Sequence, residues 1–493
     1  GGENSMGSQY LSMFTCNIGS FHSISVGYHF PQLKNERTFL ENVSENFERR
    51  VFYFFNICRY DMKQWNLTFY IQWTIMTLQL IRFLSDAYIH YHWNGDVARV
   101  MMTIASFVTE IPLVSAATAY VWSACICVCL LLFGVCTAMT HHWYGWTVPL
   151  RLMRPALLWY PVFYFPLVIP HLKMFLPCLS YSPDAYVLNP FYSDITCWST
   201  THILLSLLSI CLVSLAYVMH HLTTACFYDT DPPRVLRLEL NAMNSKYTAT
   251  CDITTLMTKS VLLVLYIAGH TSTWRVAMGI LTLLAGVLIA VHLLFVIPHW
   301  HDISMLLHVF QAYILAWTGV VAFLMVAFDD TEGTGMLYFV ILPVLLLAAQ
   351  MTLQWRIRVV DELSERELTR AELVLVQIRS GVRTYTNWMR QFGDIYMEHS
   401  PEHDRALGAS FNLTVAGLNM AQQRFPDCAD VHIYSAMFYL AIALNRAVGY
   451  GALFAAEKAP NLSLDNRFRC YMIRETLTEA TANAQSVEVR HFT

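Results

Sequence analysis

Charge is what this sequence has least of. Asp, Glu, Lys and Arg make up 13% of its 493 residues, about half the share of an average soluble domain. The formal net charge is only -4, so no basic excess exists to neutralise phosphates, which argues against a nucleic-acid partner. Catalytic signatures are missing too. The chain has no phosphate-binding loop, nucleophile elbow, HExxH helix or dinucleotide fingerprint. No catalytic residue and no cofactor is therefore expected. Gly1, Gly2 and Glu3 supply neither an initiator Met nor a charged-then-apolar leader, which leads us to expect a processed or excerpted piece of a longer protein.

What is abundant is apolar: 56% hydrophobic and 14% aromatic residues. Apolar runs long enough to cross about 30 Å of hydrocarbon fall at roughly 67–89, 113–139, 156–176, 202–227, 251–269, 275–297, 303–328 and 335–355. The expectation is an all-α, polytopic membrane protein with about eight spans. It divides into an N-terminal cap (1–66), a transmembrane domain (67–355), a connecting helix (356–400) and helical repeats (401–493).

Lys and Arg set the orientation. Arg151 and Arg154, then Arg234, Arg237 and Lys246, then Arg356 and Arg358 lie in loops on one side. The alternate loops at 177–201 and 329–334 hold none, while Arg99 and Arg275 are exceptions. This bias predicts that both termini are cytosolic, in a plasma-membrane protein. The sequons at Asn42, Asn66, Asn412 and Asn461 then face the cytosol and should carry no glycan. Cys178 and Cys197 share an outer loop, where an oxidising compartment allows either a disulfide or two free thiols.

Ionisable residues inside apolar runs are functional candidates. Arg82 and Asp86 would each cost about 2.5–3.5 kcal/mol at the bilayer centre, but four apart on a helix they can pair. Lys259 either snorkels to the surface or pairs with Asp252, seven positions earlier on the same face. Pro155, Pro161, Pro166, Pro170 and Pro177 bend or break the third span. That allows either a cavity lining, as in transporters, or a kinked structural helix. The pairs His90/His92, His141/His142, His220/His221 and His299/His301 sit beside Trp or Tyr near span ends, and read as interfacial rather than metal-binding. Cys125, Cys127 and Cys129 alternate, which scatters them around a helix and prevents convergence on one ion.

From Gln350 to Tyr396 the pattern changes. Ala371, Leu375, Ile378, Val382, Tyr385, Met389, Phe392 and Tyr396 follow steps of three and four, a heptad seam. It predicts one long helix leaving the membrane, which either forms a homodimer or packs on the helices that follow. Pro426 and Pro460 each close a helical stretch and lie 34 positions apart, the period of tetratricopeptide-like helix pairs.

Several motifs resemble the membrane region of the tiny macrocysts B/C family of protists. Trp73 to Leu80, with Gln79, resembles that family's glutamine-containing first span. Arg154-Pro155-Ala156-Leu157-Leu158, leading to Ile169-Pro170 and Cys178, resembles its proline-bearing span. Phe227-Tyr228-Asp229 resembles its intracellular link. Ile297-Pro298-His299-Trp300 stands where the family more often has Pro-Tyr-Tyr. Ala455 to Pro460, followed by Leu464-Asp465-Asn466-Arg467-Phe468, Tyr471 and Glu475, is similar to its repeat. The resemblance implies a sensory or regulatory module in the lipid bilayer, relaying to downstream PAS or nucleotide cyclase domains of the same chain. The rival class is a transporter or channel.

Overall fold

A computed structural model describes residues 39–59, 66–85, 103, 115–181, 187–228, 245–268, 274–299, 301–328, 332–363, 370–380, 382, 401–441, 443, 445–460 and 462–475. The chain forms two compact units, Gly1–Arg50 and Val51–Thr493. In the first, the described part is the start of helix α1 (Phe39–Arg59), where Arg49 pairs with Glu45 one turn earlier at 2.6 Å.

The second unit is all-α. Its membrane-type helices are α2 (Asn66–Ser85), α3 (Ala116–Tyr144), α4 (Val148–Phe175), α5 (Thr200–Cys226), α6 (Thr250–Ala268), α7 (Arg275–Val296), α8 (Asp302–Phe328) and α9 (Glu332–Glu362). Then come α10 (371–380), α11 (Pro401–Arg424), α12 (Ala429–Ala441), α13 (Arg446–Lys458) and α14 (464–475).

Seven helices, α3 to α9, are long and apolar enough to cross a membrane, and α2 adds a shorter apolar stretch over Leu67–Ile81. Seven such helices are compatible with an integral membrane protein. Their outward faces carry large apolar side chains: Val340 and Met351 on α9 are 69% and 70% exposed. Exposed apolar side chains of this size suit contact with lipid. Local chemistry sets several ends. The Ser115 and Ser199 side chains accept from the backbone N–H of Thr118 and His202 at the starts of α3 and α5, and Gly145 closes α3 at φ 65°.

The proline-bearing helix is not broken. α4 runs through Pro155, Pro161, Pro166 and Pro170 as one helix and starts at Val148, earlier than its apolar run suggests, with Pro149 in its first turn. Proline removes the hydrogen bond to the carbonyl four residues earlier, so Pro166 frees the carbonyl of Val162. The buried amide of Gln79 on α2 donates to that carbonyl at 2.6 Å, and Gln72, two turns away, donates to Leu158 O at 2.8 Å. Gln79 of α2 thus supplies what Pro166 of α4 removes, while Leu158 O, four residues before Val162, gains an extra donor in Gln72.

α7 and α8 meet through glycine. A Cβ on Gly286 would lie 2.6 Å from Ala316 Cα, and one on Gly319 would lie 2.6 Å from the Gly279 carbonyl. The two helices approach there almost backbone to backbone, with the methyl of Ala316 beside Gly286. Gly286→Ala should therefore cost about 1–3 kcal/mol through overpacking. Gly408→Ala, in a helix with open space around it, should instead gain about 0.5–1 kcal/mol. Thermal unfolding of the purified protein checks both signs.

Cys178 and Cys197 are joined by a disulfide, with Cα atoms 5.4 Å apart. Buried Asn189 braces the same loop, donating to Met174 O at 2.9 Å.

The expected single helix from Gln350 to Tyr396 is corrected. α9 ends at Glu362, Leu363 turns back onto Val360, and α10 begins afresh. Arg356 donates to Leu294 O at 3.1 Å and Arg379 donates to Val296 O at 2.8 Å, so both reach the same end of α7. On one straight helix those arginines would stand about 35 Å apart. The chain must fold back to bring them together. The attraction is electrostatic. Arg356 and Arg370 lie 5.6 and 5.3 Å over the Phe295 ring, and with Arg379 they gather at the negative end of the α7 dipole.

Leu375, Ile378 and Val382 are buried against Leu418, Ala421, Val431 and Phe438 of α11 and α12. The first half of the heptad seam is thus filled within the chain. Tyr385, Met389, Phe392 and Tyr396 lie outside the described residues, as do Asp86 and the side chain of Arg82.

Candidate functional site

At the end of the bundle away from the disulfide, α2, α4, α5, α6 and α8 enclose a cavity of about 170 Å³. Its lining is polar for a site among apolar helices. The glutamines of α2 enter it beside Pro161 and Phe165 of α4. Gln311 of α8 donates to Thr77 Oγ1 at 3.2 Å and so joins α8 to α2.

The mouth is built by two loops that pair as a short antiparallel bridge, Lys246 with His299, with Tyr247 N–H donating to Pro298 O at 3.0 Å. Asp252 stands in the first turn of α6, where the helix dipole favours an anion. The ammonium of Lys246 pairs with its carboxylate and lies 4.6 Å over the Tyr228 ring. Across the mouth the imidazoles of His299 and His308 stack with centroids 4.1 Å apart. Burial pushes the His299 ring well below its ordinary value, which keeps it neutral at pH 7. His308 Nδ1 is 2.7 Å from Ser304 O. A carbonyl can only accept, so Nδ1 carries the proton and the lone pair of His308 is on Nε2. Asp252, His299 and His308 each bring one ligand-type atom within 4.8 Å of the other two. These residues could hold a metal ion.

Lys259 lies two turns deeper. Of the two readings of Lys259, snorkelling or pairing with Asp252, the second does not match the structure, where the ion-pair partner of Asp252 is Lys246. Seven residues of helix place the two about 10.5 Å apart along the axis, whereas the 245–249 loop folds directly over the first turn of α6. Lys259 is 9% exposed, lines the cavity and makes no hydrogen bond or ion pair among the described residues. Near it, His220 meets Tyr164 edge to face with centroids 4.5 Å apart, and its buried Nδ1 has no hydrogen-bond partner among the described residues.

Two contacts from the later helices grip this mouth. Asp465 at the start of α14 is buried and accepts from the Tyr228 hydroxyl, from Thr248 Oγ1 at 2.9 Å and from Ala249 N–H at 2.9 Å. It therefore caps the N-terminus of α6 from another part of the chain. Burial lifts its carboxyl to about 6, against the opposing pull of Arg469 and the Ala249 N–H. Arg379 caps the opposite polarity: it donates to the carbonyls of Val296 and Ile297 at the end of α7 and stacks 3.8 Å over Tyr247.

Of the histidine pairs, His299 and His220 reach the cavity, His141 packs beside Tyr53 instead, and His90 and His92 lie outside the described residues. His308, Gln311 and Arg379 were not singled out in the sequence, and Asp465 appeared there only within the repeat motif. A polar residue within an apolar run was the available signal for the first two. The chain matches no protein-family model, and no curated protein or solved structure shows significant similarity to it.

Proposed function

We propose that the chain is the membrane-embedded sensory or regulatory module of a larger signalling protein. The cavity is its input site, and Asp465 and Arg379 are its relay. The double grip carries this reading. Asp465 holds residues 248–249 and Arg379 stacks on Tyr247, so the segment that presents Lys246 to the cavity is clamped from both α14 and α10. Any change in cavity charge or occupancy that moves this segment pulls on those helices.

The collection of Arg356, Arg370 and Arg379 at one end supports a cytosolic position for that end and for both termini. The helix pairs α11 to α14 suit a tetratricopeptide-like stack. The family resemblance adds the plasma membrane, and PAS or nucleotide cyclase output domains beyond Thr493.

The test is hydrogen exchange on the purified chain. Asp252→Asn weakens the hold on Lys246, and exchange over 371–380 and 464–475 should speed up at least about tenfold, the effect of losing about 1.4 kcal/mol of local stability. Ser193→Ala, in the loop near the disulfide, should leave both segments unchanged. Unchanged exchange in a folded Asp252→Asn protein would sink the relay.

A second reading, a transporter or channel, is favoured by Lys259, which lines the cavity two turns deeper than Asp252 and has no hydrogen bond or ion pair among the described residues, because an intramembrane charge marks transport paths. Solute or ion flux in liposomes that disappears in Lys259→Ala would establish it over the sensory reading.

A further inference from the structure

We infer that Asp252, His299 and His308 form a binding site for a divalent transition-metal ion of the zinc class, with Lys246 as a tethered cation that the metal displaces. This rests on the proposed role of the cavity as an input site and names the chemistry of the input.

Four observations converge. One ligand-type atom from each residue already lies within 4.8 Å of the others. Zinc binds imidazole nitrogen at about 2.0–2.1 Å and carboxylate oxygen at about 2.0–2.2 Å, so tetrahedral ligands stand near 3.4 Å apart. Side-chain adjustments of about 1 Å would close the set. Next, His299 is 7% exposed and its Nε2 is buried with no hydrogen-bond partner. A buried polar atom without a partner costs about 1–3 kcal/mol, and a metal ion would satisfy it. Third, both rings are braced from behind by the same residue. His308 Nδ1–H donates to Ser304 O at 2.7 Å, and His299 Nδ1 lies 3.3 Å from Ser304 Oγ. Such bracing fixes the tautomer and aims Nε2, as at metal-ligating histidines generally. Last, a positive charge already sits on Asp252: the ammonium of Lys246. The same ammonium lies 4.6 Å over the Tyr228 ring, which can keep hold of it once it leaves the carboxylate.

Charge balance makes this an exchange. A dication arriving on one carboxylate and two neutral imidazoles repels the ammonium, so Lys246 leaves Asp252 as the metal enters. Three protein ligands leave a fourth position open toward the cavity, which suits a reversible site better than a closed structural one. Departure of Lys246 moves the segment that Asp465 and Arg379 grip. Zinc-class occupancy is then the signal that the relay reports.

The experiment uses the tag-free full chain, stripped of metal and titrated with Co²⁺ as a spectroscopic probe. Wild type should show a visible ligand-field band that saturates at one ion per chain and is abolished by Zn²⁺. His308→Gln and His299→Gln should weaken Co²⁺ binding more than about 100-fold, beyond the usual loss from a supporting residue. His301→Ala should leave it unchanged. Lys246→Met removes the competing ammonium and should tighten binding about tenfold or more, a gain that misfolding cannot produce. Absence of the band in both wild type and Lys246→Met, with native elution on size exclusion, overturns the site and leaves Lys246 as its permanent cation. A band that survives His308→Gln also overturns it. Zinc binding without altered hydrogen exchange in α10 and α14 upholds the site and counts against the relay alone.

Discussion

Replacing Asp465 with Ala should lower the unfolding free energy by about 3–5 kcal/mol, the usual cost of removing one partner from a buried charged network. The Tyr228 hydroxyl, Thr248 Oγ1 and Ala249 N–H all lose their acceptor, and nearby Arg469 is left with Asp430, at 2.9 Å, as its anionic partner among the described residues. A large fall in the melting temperature in detergent checks this. Asp465 also makes stability depend on pH. Its folded-state value of about 6 lies above the unfolded 3.8. Its stabilising contribution is therefore complete below pH 3.8 and is lost as pH rises through 6, a swing of about 3 kcal/mol. Asp465→Asn should remove that slope, and a slope that persists in the variant would show that another group causes it.

Arg379→Ala should cost about 3 kcal/mol and free α10 from the membrane bundle. The guanidinium joins three elements: it donates to Val296 O at 2.8 Å, to Ile297 O and to Leu375 O at 3.1 Å, while its flat face covers Tyr247 at 3.8 Å. Without it two buried carbonyls at the end of α7 lose their donors, at about 1–3 kcal/mol each before relaxation and water offset part of the loss. Arg379→Lys should recover less than half of the stability. An ammonium cannot span both carbonyls and stack on the ring at once. Limited proteolysis reads the release of α10 directly, and an Ala variant as protease-resistant as wild type would contradict the clamp.

These two residues also show where reading the sequence stopped. Asp465 and Arg379 lie among ordinary charged residues of amphipathic helices, and nothing in their local pattern marks a partner more than eighty or two hundred positions away. His308 lay within an apolar run and could have been noticed, but its pairing with His299 depends on how one loop folds back. Asp252 and Lys259 were legible as a pair by spacing along one helix. Spacing left that pairing open beside snorkelling, and a loop residue, Lys246, is the one that reaches Asp252. The glutamines of α2 and prolines of α4 were each visible, but not that Gln79 serves the carbonyl freed by Pro166.

The sequence by itself determined the class: long apolar runs leave backbone groups no partner except within a helix, so all-α membrane architecture follows from composition and run length. It also showed a change of pattern beyond Trp355, where charged residues and heptad spacing replace the apolar run. Only tertiary structure decided that this stretch turns back instead of extending as one helix, and that its arginines cap α7. It alone decided which charges meet at the cavity mouth. Run length and periodicity are local quantities and survive in a single strand of text, whereas charge pairing across helices is set by packing between segments distant in sequence.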